Sequence, residues 1–363
     1  MRARNAVAAL AAGLVAGAVS QHVSRAAARA LDVDVLPQHL VETGLYADDR
    51  TAMASGVRPF LPQYPLWSDG MTKRRWISLP PGATIDTTSE FAWDFPVGTK
   101  FWKEFSLNGR KVETRLLWKS SPAKWQMASY AWNDEGTDAT LAPADGIPGF
   151  IEIAPGRRHS IPSRSDCTAC HGATRSGPIG FNALQLSADR DPNAIHGEPL
   201  GPGMLTLATL VNEKALAPAP THLIANPPRI RTGNPATRSA LGYLVGNCLM
   251  CHNGGADGTP LGPSLTIREL LDDGDSAACT LIGRPSAWQV PGVADGHSVV
   301  VHAGAPDLSA LFVRMRSRSP SSHMPPLGTV IRDQQALDTI AQWISGLEEK
   351  TNAAHVSRQT GRR

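Results

Sequence analysis

Two short runs, Cys167-Thr168-Ala169-Cys170-His171 and Cys248-Leu249-Met250-Cys251-His252, use four of the five cysteines in the chain. Two thiols separated by two residues and followed at once by an imidazole are the attachment signature of a c-type haem. Each sulfur adds to a vinyl group of the porphyrin, and the histidine reaches the iron. Two covalently bound haems c are therefore expected, at Cys167, Cys170 and His171 and at Cys248, Cys251 and His252. No other feature constrains the fold as tightly, because each run must lie along a planar, mostly apolar group. Zinc is a weaker reading of the four cysteines, since the pairs lie far apart and each is followed by histidine. A thioredoxin-like pair would need a βαβ setting that the sequence lacks. Cys279 is left over and reads as a buried free thiol.

The same thiols bear on location. Arg2 and Arg4 precede an apolar run from Ala6 to Val19, the charged and apolar parts of a secretory leader. Residues 1–30 read as a signal peptide, with Ala28-Arg29-Ala30 or Ala18-Val19-Ser20 as the cleavage site; an uncleaved amphipathic anchor is the alternative. The run is too short to span a bilayer comfortably, so no transmembrane segment is expected in the mature protein. The body of the chain is expected in the periplasm or outside the cell. Free thiols there would tend to pair, whereas haem thioethers occupy them. The formal charge of +3 includes the four arginines at 2, 4, 25 and 29 and falls to −1 without them. A near-neutral protein offers no argument for nucleic acid as a partner.

Residues 31–58 show no sustained period and read as an N-terminal arm. From Pro59 to Trp132 the chain carries seven of its nine tryptophans, with frequent turn signals. Strands are expected over 73–79, 99–107, 111–118 and 125–132. Asn108-Gly109 should form a type I′ hairpin, and a last strand over 149–153 should lead into the first motif. Residues 172–236 are rich in Pro and Gly and read as an elaborated connection, helical only over 205–216. Helices are expected over 237–250, 307–315 and 333–347, the last with Asp333 as N-cap. Residues 348–363 read as a disordered tail. The expected class is α+β: a β-rich domain over 59–171 that ends in the first motif, then an all-α domain over 237–347.

Met324 lies in Ser322-His323-Met324-Pro325-Pro326-Leu327-Gly328, between the last two helices. A Met on a proline-stiffened loop, opposite a histidine at a helix-borne motif, resembles the class I cytochrome c arrangement. That resemblance implies iron ligation by His252 and Met324, with His323 as the competing ligand. A thioether favours ferrous iron, and an iron so ligated on both sides has electron transfer as its natural work. The span 255–302 exceeds what a minimal cytochrome needs and reads as an insertion.

Further stretches carry a second resemblance. Tyr64-Pro65-Leu66-Trp67-Ser68-Asp69-Gly70, Arg75-Trp76-Ile77, Phe95-Pro96-Val97-Gly98-Thr99, Glu113-Thr114-Arg115-Leu116-Leu117 and Tyr130-Ala131-Trp132-Asn133 resemble a family of exported bacterial conserved hypothetical proteins with c-type haem motifs. This likeness implies haem and export, and no particular activity. The β half alone is distantly similar to cytochrome P460, in which a β-sheet holds a haem with a reactive open face and a lysine is cross-linked to it.

Lys103 gives that second likeness a residue. The period-2 rule puts Phe101, Lys103, Phe105 and Leu107 on one strand face, so a lysine stands in an apolar row. One reading has it near an edge, reaching out to water. The other has it approach the first haem, with its pKa lowered by burial, as a candidate catalytic residue. No sixth ligand for the first iron declares itself, although Met204, His196, His159 and Met127 are candidates. The expected function is electron transfer by an exported dihaem c-type cytochrome with a redox partner protein. The alternatives are a redox enzyme, P460-like or peroxidase-like, that binds a small molecule at the first haem, and a β-domain binding module with an accessory haem domain.

Overall fold

Asn108 and Gly109 both have positive φ, 49° and 82°, as a type I′ hairpin requires. They join the two strands at the centre of the main sheet. The computed structural model describes residues 35–47, 52–172, 174, 176–253 and 264–347. The expected leader 1–30 and tail 348–363 lie outside the described residues.

The strands in chain order are β1 (Val57–Pro59), β2 (Thr72–Ser78), β3 (Ile85–Asp86), β4 (Lys100–Leu107), β5 (Arg110–Ser121), β6 (Lys124–Trp132), β7 (Ala139–Leu141), β8 (Ile147–Ala154), β9 (Arg157–Ile161) and β10 (Leu216–Ala217). Six of them form an antiparallel sheet in the order β1-β2-β4-β5-β6-β7. The four strands expected from sequence are β2, β4, β5 and β6, within a few residues at each end. The last expected strand is the first half of a separate hairpin, β8 and β9.

Alternation gives the sheet two unlike faces. One presents Trp102, buried among its neighbours, to the 3-10 turn Leu40–Thr43. The Trp102 indole N–H donates to Thr43 Oγ1 (3.0 Å) and Lys100 Nζ to the Thr43 carbonyl (2.7 Å). The other face carries Phe101, Lys103 and Phe105 on β4, as the period-2 rule predicts. Its apolar row, Ile77, Phe101, Leu117 and Met127, crosses four strands in register. Phe181, from the segment between the motifs, closes over this row with Phe60, Phe95 and Phe101, at ring centroid distances from 4.8 to 6.0 Å. Edge-to-face aromatic contacts of this kind add about 0.5–1.5 kcal/mol each beyond area burial.

The helices are α1 (Arg164–His171), α2 (Leu207–Asn212), α3 (His222–Ala225), α4 (Pro235–Asn247), α5 (Ile267–Cys279), α6 (Ala310–Arg316) and α7 (Gln334–Ser345). The fold is α+β. The helix expected over 205–216 is only the short α2, because Lys214 takes positive φ (55°) and the chain leaves for β10. The helix expected over 237–250 starts earlier, with Asn234 as N-cap and Pro235 in its first turn, and stops at Asn247. The 255–302 span contributes α5, which carries a capping box at Thr266 and Glu269 and a kink at Asp273.

A second core joins α4, α5, α6 and α7 to residues from outside them, among them Tyr64, Leu184 and Ile195. The approach of the Tyr64 segment depends on glycine. A Cβ on Gly242 would strike the Tyr64 ring, and one on Gly246 would stand 2.5 Å from the Tyr64 carbonyl oxygen. Tyr64 to Asp69 can therefore lie directly on the helix that precedes the second motif. The described residues from Gln38 onward pack as one unit.

Candidate functional site

The hairpin β8-β9 passes through Pro162 into α1, whose start is fixed by a capping box. Ser163 Oγ accepts from the Asp166 amide (3.1 Å), and the Asp166 carboxylate accepts from the Ser163 amide (3.0 Å). The first motif therefore lies on a helix, with Cys167, Cys170 and His171 all half-buried. The second motif begins where α4 ends, with Cys248 as its C-cap. Asn247 just before it accepts from the Trp67 amide (2.7 Å) and donates to the Tyr243 carbonyl (3.0 Å). The first of these holds the helix end against the N-terminal half.

Both motifs face one cavity of about 860 Å³, lined by Cys167, Cys170, His171, Cys248, Cys251 and His252 together. Sites for organic ligands commonly measure about 300–1,000 Å³ and are mostly apolar, and this one is walled by Tyr64, Phe101, Leu117, Leu244, Leu311 and Met315. Cys170 and Cys251 meet there through a hydrogen bond between their thiols, which with burial pushes the Cys170 thiol up. Burial alone pushes Cys248 up to about 12. Sequence reading assigned the two motifs to different domains and gave no sign that they touch.

His171 is oriented by its surroundings. Its Nδ1 lies 2.7 Å from the Gly177 carbonyl oxygen, the bond that fixes the tautomer with Nε2 free to ligate. Burial pushes its pKa down to about 4; the Lys103 and Arg115 charges add to this and the Gly177 bond opposes it. Gly177 has φ +82°, and a Cβ there would strike the Trp125 indole, so the carbonyl can reach His171 only with glycine at this place.

Met324 lines the same cavity as His252, on the loop between α6 and α7. The loop is held from both sides. The Met324 amide donates to the Arg314 carbonyl (3.0 Å), and Asp69 Oδ1 accepts from the amides of Val330 (2.9 Å) and Ile331 (2.8 Å). Trp67 adds a bond from its indole N–H to the Ile331 carbonyl (3.3 Å). Asp69 has positive φ, 54°, which Asp tolerates better than most residues and which turns its carboxylate toward the loop. The neighbouring His323 is engaged, its ring nitrogens 2.8 and 3.1 Å from the carbonyl oxygens of Ser319 and Pro326. Met315 on α6 also lines the cavity and was not singled out from sequence.

The other candidates near the first motif separate clearly. Met127 and His159 line the cavity, whereas Met204 and His196 do not. Met204 Sδ instead accepts from the Gly201 amide (3.3 Å). His196 bonds through Nε2 to the Asp333 carboxylate (2.9 Å) and stacks on Trp67. His159 Nε2 lies 3.0 Å from Glu113 Oε1, which also accepts from Arg115 Nη2 (2.5 Å).

Lys103 lies inside the cavity wall, so the edge reading does not hold. The strand β4 is flanked by β2 and β5 and so is not an edge strand, and Lys103, half-buried, is among the residues that line the cavity. Burial, with the charges of Arg75, Arg115 and Lys73, pushes its pKa well below the usual lysine range. Its Nζ sits 4.8 Å from the Phe105 ring centroid. Cys279, expected to be buried, is half-buried at the end of α5.

Among the described residues no three His, Cys, Asp or Glu side chains converge as a ready-made metal-ion cluster, and no described helix is long and apolar enough to cross a membrane. Compared with known proteins, the chain matches no family model, no curated protein and no solved structure.

Proposed function

We propose that the chain is an exported dihaem c-type cytochrome whose two haems share one chamber and pass electrons to and from a redox partner protein. The observation that carries this reading is the placement of both Cys-x-x-Cys-His runs on a single, mostly apolar cavity. Cys167 and Cys170 would hold one porphyrin, with His171 as its iron ligand; Cys248 and Cys251 would hold the other, with His252. When bound, each haem supplies a one-electron couple. The residues present suit such a group: the thiols face an apolar space, and His171 is already oriented through Gly177.

On this reading the helices after residue 237 form a class I cytochrome c-like arrangement in which Met324 would be the second ligand beside His252. Asp69, Arg314 and Trp67 hold its loop by backbone bonds, so the thioether needs little ordering when it meets iron. The two porphyrins would approach one another at the Cys170–Cys251 contact, which favours direct electron exchange between them.

Met324→Ala tests the ligand set. It is expected to abolish the His/Met spectrum at one haem and to lower that haem's potential by a sizeable part of the roughly 0.8 V that axial ligands span. The measurement is a spectroelectrochemical titration. An unchanged spectrum and potential in this variant would remove Met324 from the site, and a parent protein without covalent haem would remove the whole reading.

A further inference from the structure

Three cations stand in one row across the cavity face of the sheet. The register pairs Arg75 on β2 with Lys103 on β4, and Lys103 with Arg115 on β5. Like charges directly opposite one another destabilise a sheet, and burying them costs more still unless each is paired. Sheet stability therefore does not explain the row.

The protein compensates it only in part. Glu113 takes Arg115 and His159 on one oxygen, leaving Oε2 without a hydrogen bond. Arg75 is 7% exposed, and its Nη1 has no hydrogen-bond partner. The carboxylate that acts on Arg75 is Glu198, on the exposed surface. Lys103 finds no acceptor for its Nζ among the described residues, only the face of Phe105. Lys73, on the same face, donates to the Leu66 carbonyl (2.9 Å) and adds a further cation nearby. Arg75 thus brings an unpartnered guanidinium nitrogen to the cavity wall, and Lys103, whose charge is disfavoured by its cationic neighbours, would regain that charge beside an anion.

We propose that the row Arg75, Lys103 and Arg115 is a binding site for a small diffusible inorganic oxyanion, held against the sheet beside Cys167 and His171. Size follows from the sheet. Arg75 and Arg115 are two strand spacings apart, about 10 Å, with Lys103 between them, which suits an anion of a few atoms. The haem carboxylates of the preceding section are poorly placed to fill it. The porphyrin edge that joins to cysteine is opposite the edge that carries propionates, and the charge of Arg115 acts on both Cys167 and Cys170. Arg115, at one end of the row, thus lies toward the thioether edge. Only this exclusion rests on the haem reading; the site itself rests on the sheet.

The test uses the full chain as isolated, with nitrite, sulfite and sulfate as probes in titration calorimetry. At least one is expected to bind the parent at millimolar or lower concentration. Lys103→Met and Arg75→Gln are each expected to weaken that binding about ten- to a hundredfold, the worth of one charge-assisted hydrogen bond. Lys103→Met should also raise the melting temperature without anion, because it replaces an amine set between two guanidinium groups by an apolar side chain of similar length. A purely structural lysine would give the opposite sign. The proposal is overturned if none of the three probes binds the parent, if binding survives both substitutions, or if Lys103→Met melts lower than the parent. If Arg75→Gln does not fold, Lys103→Met decides alone. Covalent haem is counted separately by mass, so losing the haem reading leaves this test standing.

Discussion

If the proposed haem sites are right, protein in which Cys167 and Cys170 are both serine is expected to carry one covalent haem and the parent two. A hydroxyl is not ionised as a thiol can be and does not replace it as the attacking group. The measurement is the intact mass after acid denaturation, which strips non-covalent haem. The variant has a second expected signature. The two motifs share one cavity, where Cys170 lies beside Cys251, so emptying the first site is expected to open space for water beside the second. A more polar surround shifts a haem potential, and the remaining haem should therefore titrate at a potential different from either value in the parent. A variant that retained two covalent haems would defeat the assignment. One haem with an unchanged potential would leave the motifs intact but deny that they share a chamber.

Glu113→Gln is expected to cost about 3 kcal/mol of stability, because it leaves the half-buried Arg115 guanidinium without its fully buried carboxylate. The same pair predicts an acid transition. Burial alone would push the Glu113 carboxyl up, but Arg115 and His159 outweigh it through charge and hydrogen bonds and bring it down to about 2. A carboxyl depressed on folding stabilises the native state above its unfolded value, about 4.3. That contribution, roughly 3 kcal/mol, is lost as pH falls from about 4 toward 2. Urea unfolding of the parent should thus show falling stability across this window, and the Gln variant should start lower and show less of that slope. Equal stability of the two proteins at pH 7 would mean that Glu113 is not ionised in the fold.

Local chemistry in the sequence carried the strands. Asn108-Gly109 marked the central hairpin because both residues tolerate positive φ, and alternation along β4 put Lys103 among Phe101 and Phe105. Asp333 was legible as an N-cap for the same reason: its carboxylate accepts from the Ala336 amide (3.1 Å). The meeting of Cys170 with Cys251 was not legible, because it depends on how α1 and the end of α4 pack over a long sequence separation. The cation row was hidden in a different way. Arg75 and Arg115 are ordinary residues in their own strands, and only the strand register sets them on either side of Lys103. Nor could composition show that residues 172–236, read as a connection, supply Phe181 to one core and Leu184 and Ile195 to the other.

The bonds from Asp69 and Trp67 to the loop after Met324 bear on inheritance as much as on structure. A coding sequence cut before residue 237 would retain the second motif and Met324 but discard the acceptor for two of the loop's amides. Each such amide, if buried without a partner, costs about 1–3 kcal/mol. Recombination could not easily exchange the helical part for another, because the new part would arrive without its brace. Descent is therefore expected to pass the Tyr64 to Gly70 stretch and the Met324 loop on together, as one heritable character.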